Sequence, residues 1–186
     1  MNILVYQDIS KRHIQKANVI NTINIAKGFI KNNINVFFFS KKELLYFFKD
    51  KINNVNFIHD LSNLDMFNAI YCRNLEFPID LIKKNYKGYI IIESHDINLI
   101  PEITLLRNRD KLIFTSISPL IIEKYNITKS LLFPCSIDFD YFSNKELFDE
   151  KLFSSTHFNI TYCGHLYDYK GIPIIIQAAK ILNEFK

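Results

Sequence analysis

Tyr162-Cys-Gly-His-Leu-Tyr-Asp-Tyr-Lys-Gly171 lies between an apolar run, Phe158-Asn-Ile-Thr-Tyr162, and an amphipathic run, Ile172 to Lys186. The first run predicts a short buried strand and the second a helix. Pro173 suits the first helical position, where its fixed φ helps and its missing N–H costs nothing. Ile175, Ala178, Ala179, Leu182 and Phe185 then fall on one helical face. A strand, a loop bracketed by Gly164 and Gly171, and a helix opening onto that loop describe an anion site. The helix N-terminus offers unpaired N–H groups and about half a positive charge. Lys170 adds a full charge beside it, and the two glycines let the backbone approach a ligand closely. The same pattern also describes a plain βα turn with no ligand, and glycine spacing alone does not separate the two.

Working outward from this unit, strands and helices alternate along the whole chain. Asn2 to Tyr6 predicts a buried strand, followed by a helix from His13 to Lys31 with Ile20, Ile23, Ile25 and Ile30 among its apolar positions. Asn32-Asn33 makes the turn, since Asn tolerates the left-handed conformation. Further strands are expected at Asn35 to Phe39, Val55 to Ile58, Ala69 to Cys72, Tyr89 to Ile92, Leu112 to Thr115 and Leu131 to Phe133. Helices are expected at Glu43 to Phe48, at Pro78 to Lys84 with Pro as its start, and at Pro101 to Arg107. Another is expected at Pro119 to Tyr125, with Ser118 as its N-cap. Strands that read as continuous apolar runs and alternate with helices predict an α/β fold: a Rossmann-like parallel sheet with helices on both faces. Asp138 to Ser155 reads as irregular and polar. The expected organisation is a Rossmann-like domain at 1–142, a linker at 143–157, and a strand, loop and helix at 158–186 that begin an incomplete second Rossmann-like domain.

Composition narrows the function classes. The 186 residues are 48% hydrophobic and 15% aromatic, which describes a globular chain rather than a disordered one. A net charge of +4 is too mild to argue for nucleic acid, and suits anionic ligands or weak contact with a negative membrane surface. The three cysteines, Cys72, Cys135 and Cys163, are isolated, with no Cys/His metal spacing, and read as small core residues; no metal is expected. No apolar stretch reaches the ~18 residues that span a bilayer, and the N-terminus carries no signal-peptide pattern, so the expectation is a cytoplasmic protein. The first strand is not followed by Gly-x-Gly-x-x-Gly, which disfavours a nucleotide-binding dehydrogenase.

Asn159-Ile-Thr-Tyr-Cys-Gly-His-Leu-Tyr-Asp-Tyr-Lys-Gly-Ile-Pro-Ile-Ile-Ile-Gln-Ala-Ala-Lys-Ile-Leu182 resembles the opening of the second domain of the retaining glycosyltransferases built from two Rossmann-like domains (GT-B fold, family 4, group 1 type). There a strand is followed by Gly-Arg-Leu, a variable loop, Lys-Gly and a helix with a pair of small residues. Phe114-Thr-Ser-Ile-Ser-Pro-Leu-Ile-Ile-Glu-Lys-Tyr125 resembles the family's strand, serine and helix. Leu131-Leu-Phe-Pro-Cys-Ser-Ile-Asp-Phe-Asp-Tyr-Phe142 resembles its Pro-Asn-Gly-Val-Asp segment, with Pro134, Asp138 and Phe142 matching. Ile92-Glu-Ser-His-Asp96 resembles the strand end that carries a His-Asp pair. The chain departs from the family at His165, where Arg is usual, and at Cys135-Ser136, where Asn-Gly is usual. It also departs at Asp8 to Arg12, where a Gly-Gly loop is frequent.

The resemblance implies a donor diphosphate held by Gly164, His165, Lys170 and Gly171. It implies a catalytic His95 near the transferred sugar, at the C-terminal end of a central strand where open α/β sheets place ligands. Without the resemblance, His95 reads equally as a histidine bonded to Asp96 or to the backbone. Asp96 and Arg73 are acceptor-side candidates; Asp96 also suits a capping role, and Arg73 an ordinary surface ion pair. The implied reaction moves a sugar from a nucleoside diphosphate to an acceptor hydroxyl with retention, in glycan, lipopolysaccharide or capsule biosynthesis. The nucleotide sugar is a substrate, no separate cofactor is implied, and the acceptor is a glycan or lipid-linked molecule, with peripheral contact at the inner face of the membrane. The family's second domain carries two glutamates that bind the donor. They have no counterpart up to Lys186, so the isolated 186-residue chain is expected to be inactive, and a complementing C-terminal fragment or self-association is the implied partner. A non-catalytic Rossmann-like remnant, or half of a split enzyme, is the alternative.

Overall fold

Seven strands, all parallel, form one sheet in the order β3-β2-β1-β4-β5-β6-β7. They are β1 (Asn2–Tyr6), β2 (Asn35–Phe39), β3 (Asn56–Ile58), β4 (Ala69–Cys72), β5 (Tyr89–Ser94), β6 (Leu112–Ser116) and β7 (Ser130–Leu132). Between them run α1 (Ala17–Lys31), α2 (Leu45–Lys49), α3 (Glu76–Lys83), α4 (Ile103–Arg107) and α5 (Pro119–Tyr125), with α6 (Ile172–Glu184) near the end of the chain. This computed structural model describes residues 1–7, 17–73, 75–95, 102–133 and 171–184. The chain divides into two compact units, Met1–Phe142 and Ser143–Lys186.

The expected α/β fold, a Rossmann-like parallel sheet with helices on both faces, is what the first unit adopts. Parallel neighbours need crossovers, and right-handed crossovers that first run one way from β1 and then the other place helices on opposite faces. α1 and α2 pack on one side, where Ile3, Val5, Val19, Ile23, Ala26, Val36, Phe38 and Phe48 form a core. α3, α4 and α5 pack on the other, around Leu4, Ile70, Ile79, Leu81, Ile90, Ile92, Leu106, Phe114, Ile121 and Tyr125. β1 divides its side chains between the two, Leu4 to one face and Ile3 and Val5 to the other, as strand alternation requires. The second core is closed by contacts with no slack. A Cβ at Gly88 would lie 2.1 Å from the Tyr86 hydroxyl and 2.8 Å from the Asn68 carbonyl oxygen. Tyr86 in turn donates to the Phe67 carbonyl at 2.8 Å.

Asparagine ends most of the helices of this unit. Asn33, Asn54, Asn85 and Asn126 all have positive φ, between 49° and 59°. At Asn33 and Asn85 the surrounding bonds complete a Schellman motif. Ile34 N–H reaches Phe29 O at 3.1 Å and Asn33 N–H reaches Ile30 O at 2.9 Å. Tyr86 N–H reaches Leu81 O and Asn85 N–H reaches Ile82 O, both at 2.9 Å.

Several local expectations are corrected. α3 begins at Glu76 rather than at Pro78. Pro78 is its third residue, still within the first turn, where the absent N–H is one of the helix's unpaired donors anyway. Ser118 occupies the N-cap position of α5, but its hydroxyl makes no capping bond. Its backbone N–H instead donates to Ser116 Oγ at 3.3 Å. β7 begins one residue earlier than the apolar run suggests and is not buried: Leu131 and Leu132 are 57% and 60% exposed, because β7 is the sheet edge. Pro173 is the second residue of α6, not the first.

In the second unit, Gly171 has φ 76° and its carbonyl accepts from Ile175 N–H at 3.1 Å, so it stands at the N-cap of α6. Ile174, Ile176, Ile181 and Leu182 on that helix are exposed. The expected linker at 143–157 and strand at 158–162 lie outside the described residues.

Candidate functional site at the C-terminal edge of the sheet

Strand order reverses direction between β1 and β4, and open α/β sheets bind ligands outside the strand C-termini at such a point. The buried polar residues of this chain collect there. Gln7 follows β1, Ser40 follows β2, Glu93 and Ser94 end β5, Thr115 and Ser116 end β6, and Asn21 and Thr22 come from α1. These are all the buried polar or charged residues among the described ones. Ser94 and Ser116 are paired in register, as are Glu93 and Thr115. Burying polar groups costs free energy unless they are hydrogen-bonded, and the bonds are present. Thr22 donates to Gln7 Oε1 at 2.5 Å, and Thr115 donates to the Ile92 carbonyl at 3.1 Å.

Glu93 is the centre of the group. Its side chain is 2% exposed. Asn21 Nδ2 donates to Oε1 at 2.8 Å, and the Tyr71 hydroxyl donates to Oε2. Arg73 NH1 stands 3.6 Å from Oε1, and His95 Nε2 lies against the same oxygen. A buried carboxylate with one partner would be costly; four partners, from α1, from β4 and from the residues that follow β4 and β5, make it tolerable. Burial, then the Glu93 charge, pushes the Tyr71 hydroxyl far above the usual tyrosine range, so it stays a donor. Burial likewise pushes the neighbouring Cys72 thiol up, which keeps it protonated, as befits a core residue.

His95 and Arg73 are therefore brought together, and Glu93 joins them. His95 is half-buried, and its Nε2 lies against Glu93 Oε1. Arg73 is not placed as a sequence reading without the family resemblance suggests. Arg73 is not a surface ion pair: its side chain is 10% exposed and faces a buried carboxylate. Asp96 lies outside the described residues, as do Gly164, His165 and Lys170 of the expected phosphate loop. Gly171 is described, and its positive φ is the conformation for which glycine is suited.

Glu93, Tyr71, Asn21 and Gln7 are the residues a sequence reading passes over. One signal was present: a glutamate directly following Tyr89-Ile-Ile-Ile92 is a charge continuing a central strand, and such a charge needs buried partners. Among the described residues, no group of three or more His, Cys, Asp or Glu could hold a metal ion, and no helix is long and apolar enough to cross a membrane. No protein-family model, no curated protein and no solved structure matches the chain, so fold and site rest on their own geometry.

Proposed function

We propose that this chain carries the acceptor-side part of a retaining sugar transferase of the GT-B type. It would act on a nucleoside-diphosphate sugar and a glycan or lipid-linked acceptor. The observation that carries the reading is the confinement of buried polar side chains to the C-terminal edge of a parallel sheet, with His95 and Arg73 among the side chains gathered there. The resemblance at Asn159 to Leu182 supports it from the other end of the chain. In the reaction, the bond from the sugar's anomeric carbon to the diphosphate oxygen breaks and a bond to the acceptor oxygen forms on the same face. The acceptor's proton leaves with the diphosphate. Negative charge grows on the leaving group, and Lys170 with the N–H groups opening α6 would stabilise it, the kind of fixed electrostatics that contributes most in many enzymes. His95 would hold a hydroxyl of the sugar or acceptor.

A non-catalytic Rossmann-like module is the second reading. It is favoured by the mutual neutralisation of Arg73 and Glu93, which gives both residues a structural occupation. The two readings part on turnover. Release of nucleoside diphosphate from a panel of nucleotide sugars, with soluble and lipid-linked acceptors, should identify one donor for the protein expressed from its whole reading frame. His95→Ala and Lys170→Ala should each lower kcat/KM by about 100-fold or more. No turnover of any donor, or turnover indifferent to both substitutions, overturns sugar transfer in favour of the second reading.

A further inference from the structure

We propose that Glu93 is a positioning residue that fixes the tautomer of His95, so that Nδ1 is the nitrogen His95 offers to a ligand hydroxyl. This deepens the sugar-transfer reading and rests on it for the ligand; the assignment of the nitrogen does not. Two neighbours of Glu93 can only donate to it. The Asn21 amide nitrogen has no lone pair to give, and the Arg73 guanidinium has no acceptor. Tyr71 presents its hydroxyl proton to the other oxygen. With two obligate donors aimed at it, Oε1 has no place for a proton of its own and is an acceptor. The His95 nitrogen against Oε1 must then carry hydrogen, and that nitrogen is Nε2. In a neutral imidazole one nitrogen donates and the other accepts, so the lone pair is left on Nδ1.

Three features make this more than an incidental contact. Glu93 is itself held from α1, β4 and the segment after β4, so its carboxylate cannot turn to follow the ring. His95 sits two residues further along, where β5 has ended, and keeps 23% of its side chain exposed while its partner keeps 2%. An imidazole fixed through one nitrogen, with part of the ring in solvent, matches how enzymes orient a histidine with a buried carboxylate. As a neutral ring, His95 accepts a hydroxyl proton at Nδ1; as a cation it donates from Nδ1 to an oxygen. Either state selects a polyol hydroxyl over an apolar group.

The test is spectroscopic and needs no substrate. In protein labelled with nitrogen-15 histidine, long-range proton–nitrogen correlations separate the two neutral tautomers, and His95→Gln identifies the resonance among the five histidines. In alkaline buffer, His95 should show a protonated Nε2 and a bare Nδ1. Tyr71→Phe removes one donor from the far oxygen and should leave that pattern intact. Glu93→Gln presents an amide that can donate or accept, and in folded protein it should give a mixture of tautomers. A bare Nε2 or an even mixture in the unsubstituted protein overturns the proposal. So does an unchanged pattern in folded Glu93→Gln. If Glu93→Gln does not fold, the unsubstituted spectrum still decides. The expected tautomer in a protein that turns over no nucleotide sugar would uphold the role of Glu93 and remove sugar transfer alone.

Discussion

On the face of the sheet that carries Phe114, the helices α3, α4 and α5 cover β4 through β6. On the opposite face α1 and α2 serve β1 to β3. Beyond them Ile91, Ile113, Leu131 and Phe133 line an open recess of about 720 Å³ with Phe29, Ile34 and Gly28 of the α1 side. β6 shows the contrast within one strand: Leu112 and Phe114 are buried on one side, while Ile113 is only partly covered on the other. The cause is topological. Once the chain crosses from β3 to β4 it builds outward with every described crossover helix on one face, so the other face of the same strands depends on something else for cover.

If the two faces differ in this way, the largest effect belongs to the covered one. Phe114→Ala removes a fully buried ring that packs 5.0 Å from Tyr125 and should cost about 3–5 kcal/mol. Urea unfolding followed by circular dichroism measures it; a loss below about 1 kcal/mol would mean the covered face collapses around the gap and is not close-packed. Next comes Gly88→Ala, where the new methyl would sit among atoms of the same face. Overpacking of this kind costs about 1–3 kcal/mol, and the same unfolding curves report it. The matching change on the open side has the opposite sign. Gly28→Ala lies in α1 beside the recess, its Cβ meets nothing within 4 Å, and it should stabilise by about 0.5–1 kcal/mol through helix propensity. Destabilisation there would show that some other group already fills the recess in solution. Smallest of all is Leu131→Ala, expected within about 0.5 kcal/mol because that side chain is mostly exposed. A shift as large as that of Phe114→Ala would place Leu131 under cover and remove the contrast.

Most of the sheet was legible because parallel strands buried on both faces read as apolar runs. Tyr89-Ile-Ile-Ile92 and Ala69-Ile-Tyr-Cys72 can hardly be anything else. Asn33 was legible for a local reason, its tolerance of left-handed backbone. Leu131-Leu-Phe133 misled because an apolar run says that a strand pairs, not that its faces are covered. Ser118 does stand at the N-cap of α5, as serine's preference predicts, although its hydroxyl makes no capping bond. At the site, His95 and Arg73 could be picked out by residue type and position at strand ends. Their shared partner could not. Glu93 becomes central only through Asn21, Tyr71 and Arg73, which approach it from 72, 22 and 20 positions away, and no local pattern encodes such distances.

The left-handed asparagines carry a consequence for how this fold can change over time. Among the described residues, four of the five α-helix-to-strand turns of the first unit carry a left-handed Asn, at residues 33, 54, 85 and 126. Exchange to Gly would relieve the Cβ crowding of that conformation but would also free the unfolded chain, two opposing effects each on the order of 1 kcal/mol. The Schellman bonds are made by backbone atoms, so they would survive. Asparagine codons are rich in A and T and glycine codons in G and C. With folding nearly indifferent, the base composition of a genome is free to choose the letter at these turns. A chain with 4 glycines in 186 residues can thus hold a glycine-style architecture while its sequence drifts a long way from one written in glycine.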